Sequence, residues 1–200
     1  MPKVLTFCRF RGTLYDEKDR RTDAAEKSKT LEHWDIYDAY KKPLGYTRAR
    51  GERLMKGEFH LVSHVCLFDS QERMLIQERQ TSKPSFPGKW DLSAGGSVLA
   101  GESSREAAVR ELYEEMGVRI SLDGAIPPIT LNYGWGFDDI YVARTNVSLS
   151  DLRLQREEVR SARFATLDEI LKLAQCGLFV PRPPALLRYL FDLGLGRCAH

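Results

Sequence analysis

The stretch Gly96–Val118, GSVLAGESSREAAVRELYEEMGV, limits what this chain can fold into more than any other. By residue type it reads as a tight glycine turn, a short loop and one helix. Ser103 followed by Glu106 forms a capping-box pattern, in which each side chain satisfies a backbone N–H of the first turn, so the helix is predicted to begin at Ser104. Gly117 is its natural stop, because glycine accepts the left-handed backbone that closes a helix. Residues three and four apart are helix neighbours, which places Glu111, Glu114 and Glu115 on one face. Ala108, Val109, Leu112 and Met116 fall on the other as a buried stripe, and Ala107 sits among the acids. Crowded carboxylates repel, and a divalent cation would turn that repulsion into binding. An acidic run of this kind is, by itself, usually a solvated helix face. The fixed spacing to Gly96, Glu102 and Gly117 is what raises it above that.

Length and charge narrow the field. Two hundred residues suit one domain with a substantial core, and the net charge of +2 is nearly neutral. Lys and Arg are scattered, so no nucleic-acid polymer or membrane surface is indicated. No apolar run approaches a membrane span, and the N-terminus lacks the apolar core of a secretory signal. Cys8, Cys66, Cys176 and Cys198 show no paired spacing, which suggests free thiols in a reducing cytosol. A soluble cytoplasmic protein is expected; the oligomeric state stays open, a homodimer being one option.

Along the chain, Lys3–Phe10 is apolar enough for a short strand, and Tyr15–Thr30 is a charge-dense lead-in or frayed helix. Trp34–Tyr37 and Tyr46–Arg50 flank the turn-like Lys41–Gly45 and predict a β-hairpin. Phe59–Phe68 is a central strand, with Met74–Gln80 pairing back on it. A Pro- and Gly-containing loop, Thr81–Gly88, leads to a short strand at Trp90–Ser93. After the helix, Ile126–Leu131, Asp139–Ala143 and Glu158–Ala165 read as strands. Leu167–Cys176, capped by Thr166 and Glu169, and Ala185–Leu193 read as helices. The order predicts an α/β fold, an α/β/α sandwich with a mixed sheet.

The pattern of Gly96, Glu102, Arg110-Glu111-Leu112, Glu114-Glu115 and Gly117-Val118 resembles a complete Nudix box. From about Trp34 to Pro181 the chain also resembles the Nudix group related to isopentenyl-diphosphate isomerase. The resemblance implies residues 31–200 as the Nudix domain and 1–30 as an N-terminal extension. It implies hydrolysis, with Mg2+ or Mn2+, of a nucleoside diphosphate linked to another moiety or a related small organic diphosphate. An isomerase of the same fold and a non-catalytic binding domain are the alternatives. Position by position, Glu114 and Glu115 match the main metal ligands, with the Gly95 carbonyl as a further one. Glu111 matches an acid that binds a second metal or activates water, and Arg110 matches the arginine that orients it. Glu102 is a loop brace or a ligand through water. Against the isomerase pattern, Gly95 stands where its cysteine should be, Ser97 and Arg53 replace two histidines, and His60 matches a third.

Other residues keep two readings. Arg79 and Lys83 could meet substrate phosphates or be solvated cations. Glu158, in QREEV with Glu157, could supply an additional acid, with Asp138 and Asp139 as competitors; each reads first as structural. His60 and His64 share one strand face and read first as satisfied core or rim residues rather than a metal pair. Trp135 and Phe137 read as core before they read as a base-stacking platform.

Overall fold

The computed structural model describes residues 32–197. The strand expected at Lys3–Phe10 and the lead-in at Tyr15–Thr30 lie outside the described residues. Strands β1 (His33–Tyr37) and β2 (Pro43–Ala49) form the expected antiparallel hairpin. Its turn sits earlier than predicted: the Asp38 carboxylate accepts from the Tyr40 and Lys42 N–H groups, and Lys41 has φ 61°. Pro43 opens β2, a strand position where a missing N–H does no harm.

The main sheet is built around β3 (His60–Phe68). Along its whole length it runs parallel to β8 (Gly136–Arg144), and β7 (Ile129–Asn132) pairs antiparallel with β8 beyond it. On the other side lie β4 (Met74–Arg79) and β6 (Ala94–Ser97). Here the expectation of a β3–β4 hairpin needs correction. The two strands share only the Phe68–Met74 pair, after which β4 turns away to pair with β9 (Val159–Ala165) and the short β5 (Trp90–Asp91). The place beside β3 is taken by β6. The sheet therefore splits into a wedge between β4 and β6, and the polar residues described below fill it.

Helix α1 (Ser104–Met116) covers one face, its Ala108, Leu112 and Met116 packing with Val65, Leu67 and Leu75. Helices α2 (Leu167–Gln175) and α3 (Pro184–Gly194) cover the other, against Cys66, Phe68, Met74 and Ile76. The result is an α/β/α sandwich with a mixed sheet, as the order of elements implied. Both predicted capping boxes form, at Ser103–Glu106 and Thr166–Glu169, and Gly117 closes α1 with φ 72°. Each cap is worth about 1 kcal/mol. Ala107 departs from its predicted place among the acids: it is buried against Leu61, Val98 and Phe137. Val109 is only half-buried. Among the described residues, no helix is long and apolar enough to cross a membrane.

Candidate active site

Gly95 and Gly96 do not form a turn. They lie in β6, opposite His64 and Ser63 of β3. What they require is space rather than backbone freedom. A Cβ on Gly95 would stand 2.1 Å from the His64 ring, and one on Gly96 2.3 Å from the Glu111 carboxylate. Successive strand residues face opposite sides, so the pair opens the sheet to His64 on one face and to α1 on the other.

On α1, Arg110 is the hub. Its Nε and Nη2 donate to the two oxygens of Glu102 at 2.8 and 2.9 Å. Its Nη1 donates to Glu111 at 2.8 Å and Glu114 at 3.2 Å, and Nη2 also reaches the Ser97 carbonyl at 3.1 Å. Burial works against the guanidinium charge, but Glu102 and Glu111 outweigh it and hold the Arg110 pKa above its ordinary value. Glu102, which also accepts from the Leu99 N–H, is thereby a brace of the loop.

The three acids do not share one environment. Glu114 is about half exposed. Glu111 is largely buried, and burial raises its pKa while Arg110 pulls the other way. Glu115, on the same helix face as Glu114, is 5% exposed. It projects into the wedge, where its Oε2 accepts from Gln77 Nε2 at 2.9 Å and the Gly95 N–H at 3.2 Å. Burial, and then the nearby Glu111 charge, pushes its pKa up to about 8. Gln77 was not legible as a site residue, since a lone Gln in an apolar strand carries no motif.

Lys83 is ion-paired to Glu158, so the structure brings these two together. Burial, then Arg79, lowers the Lys83 pKa; Glu115 and Glu111 act in the opposite sense, which places Lys83 within electrostatic reach of the acids. Arg79 holds its loop, donating to the Ser85 carbonyl at 3.1 Å, and stands 3.7 Å from Asp91. Glu157 is exposed. Asp139 pairs with Lys41 and Thr130, and Asp138 with His64 and Arg182. His64 is satisfied, as expected. Phe137 is buried, whereas Trp135 is 59% exposed, against the expectation of core.

His60 is stacked between Trp34, at 4.6 Å, and Trp135, at 5.1 Å, with Tyr133 Oη 3.0 Å from its Nε2. Its Nδ1 has no partner among the described residues, so it is only half satisfied. Burial, with a contribution from Arg50, lowers its pKa to about 4, against 6.5 when free. The unfolded chain therefore takes up a proton near pH 6.5 that the folded one refuses until about pH 4. The stability is full above about pH 6.5 and falls by about 3 kcal/mol as pH drops through that window. Denaturant melts of His60→Gln should show a flatter acid limb between those values. An unchanged limb would assign it to other groups.

Among the described residues, no three His, Cys, Asp or Glu side chains already converge as a metal cage. The reason is visible: Arg110 Nη1 draws both Glu111 and Glu114 to itself. The donor set still fits a hard divalent cation. It consists of carboxylate oxygens, and Glu115 is a buried carboxyl whose hydrogen-bond partners are neutral.

The fold is an α/β/α sandwich that sets an acidic helix face against a two-glycine strand. A family model of the NUDIX domain matches residues 58–184, and the chain belongs to the Nudix family. It is a Nudix hydrolase, a pyrophosphohydrolase by class. It is 45% identical over 170 residues to an uncharacterised Nudix hydrolase of Listeria monocytogenes, covering 85% of this chain and 99% of the relative. An isopentenyl-diphosphate Delta-isomerase of Pectobacterium atrosepticum is 30% identical over 141 residues, covering 68% of this chain and 76% of the isomerase. A prenyl-diphosphate phosphatase of Methanosarcina mazei is 31% identical over 139 residues, 67% of this chain and 81% of the relative. Among solved structures, DR0079 of Deinococcus radiodurans superposes with a TM-score of 0.66 at 23% identity, over 80% of this chain and 99% of that one.

Proposed function

We propose that the chain is a Mg2+- or Mn2+-dependent hydrolase of a diphosphate bond in a small molecule. The substrate is a nucleoside diphosphate linked to another moiety, or a related organic diphosphate such as the prenyl diphosphate named for the Methanosarcina relative. The observation that carries this reading is Glu115: a carboxyl buried beside Glu111 and Gly95, with a pKa pushed up to about 8. Glu111, Glu114, Glu115 and the Gly95 carbonyl would hold the metal. Bound there, it would neutralise charge on the phosphate oxygens and the leaving group.

The chain's own residues supply the rest. Glu111, its pKa raised by burial and its carboxylate oriented by Arg110, can take the proton of a water whose oxygen attacks phosphorus as the bridging P–O bond breaks. Lys83 and Arg79 can meet phosphate charge by exchanging their present partners, Glu158 for the first and Asp91 for the second. Glu158 is in this reading an additional acid next to the site. The enzyme is read as cytoplasmic, with residues 31–200 as its catalytic domain; the free thiols of Cys66 and Cys176 suit a reducing compartment.

The isomerase alternative needs a matched acid and base across a carbon skeleton. Gly95, at the position of the isomerase cysteine, has no side chain, and the His64 ring occupies the space one would take. The test is a panel of nucleotide sugars, dinucleoside polyphosphates, nucleoside triphosphates, capped nucleotides and prenyl diphosphates, assayed with each metal. Metal-dependent release of phosphate or a monophosphate from at least one is expected. Proton NMR of isopentenyl diphosphate incubated with the protein and Mg2+ should show no allylic isomer. Enzyme-dependent allylic signals would overturn the hydrolase-only reading.

A further inference from the structure

Arg182 lies in the proline-flanked segment between α2 and α3 and belongs to no element, yet its guanidinium is buried. Nη2 donates to His64 Nε2 on β3 at 3.2 Å and to Asp91 Oδ1 on β5 at 3.3 Å. Nη1 donates to Asp138 Oδ2 on β8 at 3.3 Å. One side chain thus ties three strands together across the wedge opened where β4 leaves β3. A guanidinium cannot accept, so His64 Nε2 must be the acceptor and Nδ1 the donor to Asp138 Oδ1, at 2.7 Å. The ring is held from both edges in one tautomer and one orientation.

That ring packs directly on Gly95, as the 2.1 Å approach to a Cβ there shows. The Gly95 N–H in turn donates to Glu115. The contacts run unbroken from Arg182 through His64 and Gly95 to Glu115. Stability alone is a poor reason for this arrangement. Buried ion pairs are often matched or bettered by apolar side chains of the same volume. What a guanidinium adds is a rigid fork that fixes several partners at once.

We infer that Arg182 is a positioning residue: it locks the His64 ring beneath Gly95 and so sets where the Gly95 backbone and the Glu115 carboxylate stand. The inference rests on the proposed role of Gly95 and Glu115 as metal ligands. Its test is Mn2+ binding by the full chain, read as free Mn2+ by EPR, with kcat and KM for the best substrate of the panel. The variants are Arg182→Lys, His64→Ala and the double variant. Lysine keeps the charge but cannot hold three partners. Arg182→Lys should lower Mn2+ affinity and kcat about tenfold each, with KM within about twofold. The double variant should be no worse than His64→Ala alone, because both act along one line of contacts.

Mn2+ affinity per folded molecule, with the folded fraction fixed by circular dichroism, would not move if Arg182 served only the fold. Should Arg182→Lys not fold, His64→Ala carries the test, since it leaves the pairs of Arg182 with Asp91 and Asp138 in place. Wild-type affinity in the folded variants, or losses that multiply in the double variant, would overturn the inference. A wild-type chain that binds no Mn2+ would instead overturn the proposed function, and this role with it.

Discussion

Glu115→Gln should reduce turnover by a factor of about 10² or more, and at the same time stabilise the metal-free protein at alkaline pH. The two effects have one source. Glu115 is buried in the wedge between β4 and β6, where its hydrogen-bond donors among the described residues are Gln77 and the Gly95 N–H. Its pKa rises from 4.5 to about 8. The folded state therefore keeps a proton that the unfolded chain releases near pH 4.5. Between those values the folded state binds more protons, so its stability falls as pH rises, and above about pH 8 the full cost stands. The upper bound on that cost is roughly 5 kcal/mol. Glutamine is isosteric, can accept from both donors, and never ionises. In EDTA, the wild-type melting temperature minus that of the variant should become steadily more negative from pH 5 to pH 8. A constant difference would mean that Glu115 is already ionised in the folded protein. Turnover near the wild-type rate would remove Glu115 from the site.

Arg110→Met should cost about 2–4 kcal/mol, the largest loss of stability expected from any single substitution at the site. The side chain joins Glu102, Glu111 and Glu114, and Glu102 and Glu111 are mostly out of water. Methionine fills much of the same volume but leaves those carboxylates without a cation. Removing one partner of a buried pair is costlier than never having had it. The exposure of Glu114 keeps the figure below that of a fully buried cluster. Arg110→Lys should recover less than half, because a single ammonium cannot reproduce the two-pronged bond to Glu102. Urea midpoints at pH 7.5 would measure both. A shift below about 0.5 kcal/mol for methionine would show the cluster to be solvent-screened.

Much of the candidate site was legible because it is local. The spacing of Glu111, Glu114 and Glu115, the caps at Ser103 and Gly117, and the contact of Arg110 with Glu111 all lie within one helix. A helix sets which of its residues are neighbours whatever packs against it. The α/β/α order of elements was legible for the same kind of reason, since periodicity and turn residues mark strands and helices one at a time. The pairing of β4 was not. A turn of polar residues between two apolar runs promises a hairpin, and nothing in it tells that the second strand prefers β9 and β5 after one shared pair.

By itself, then, the sequence determined the family, the acid-bearing helix and its two ends, and the division into sheet and covering helices. Only the tertiary structure decided that Gly95 and Gly96 make a strand rather than a turn. Their demand for space comes from His64 and Glu111, side chains that reach them through the fold. It also decided that Glu115 is buried while Glu114 faces water, because the wedge that receives Glu115 exists only where β4 parts from β3. Arg182 shows the limit most plainly. An arginine among prolines reads only as a break between helices, and its partners His64, Asp91 and Asp138 sit on three strands far away in the chain. Burial of a charge depends on where distant carboxylates are brought, and no local pattern of residues carries that information.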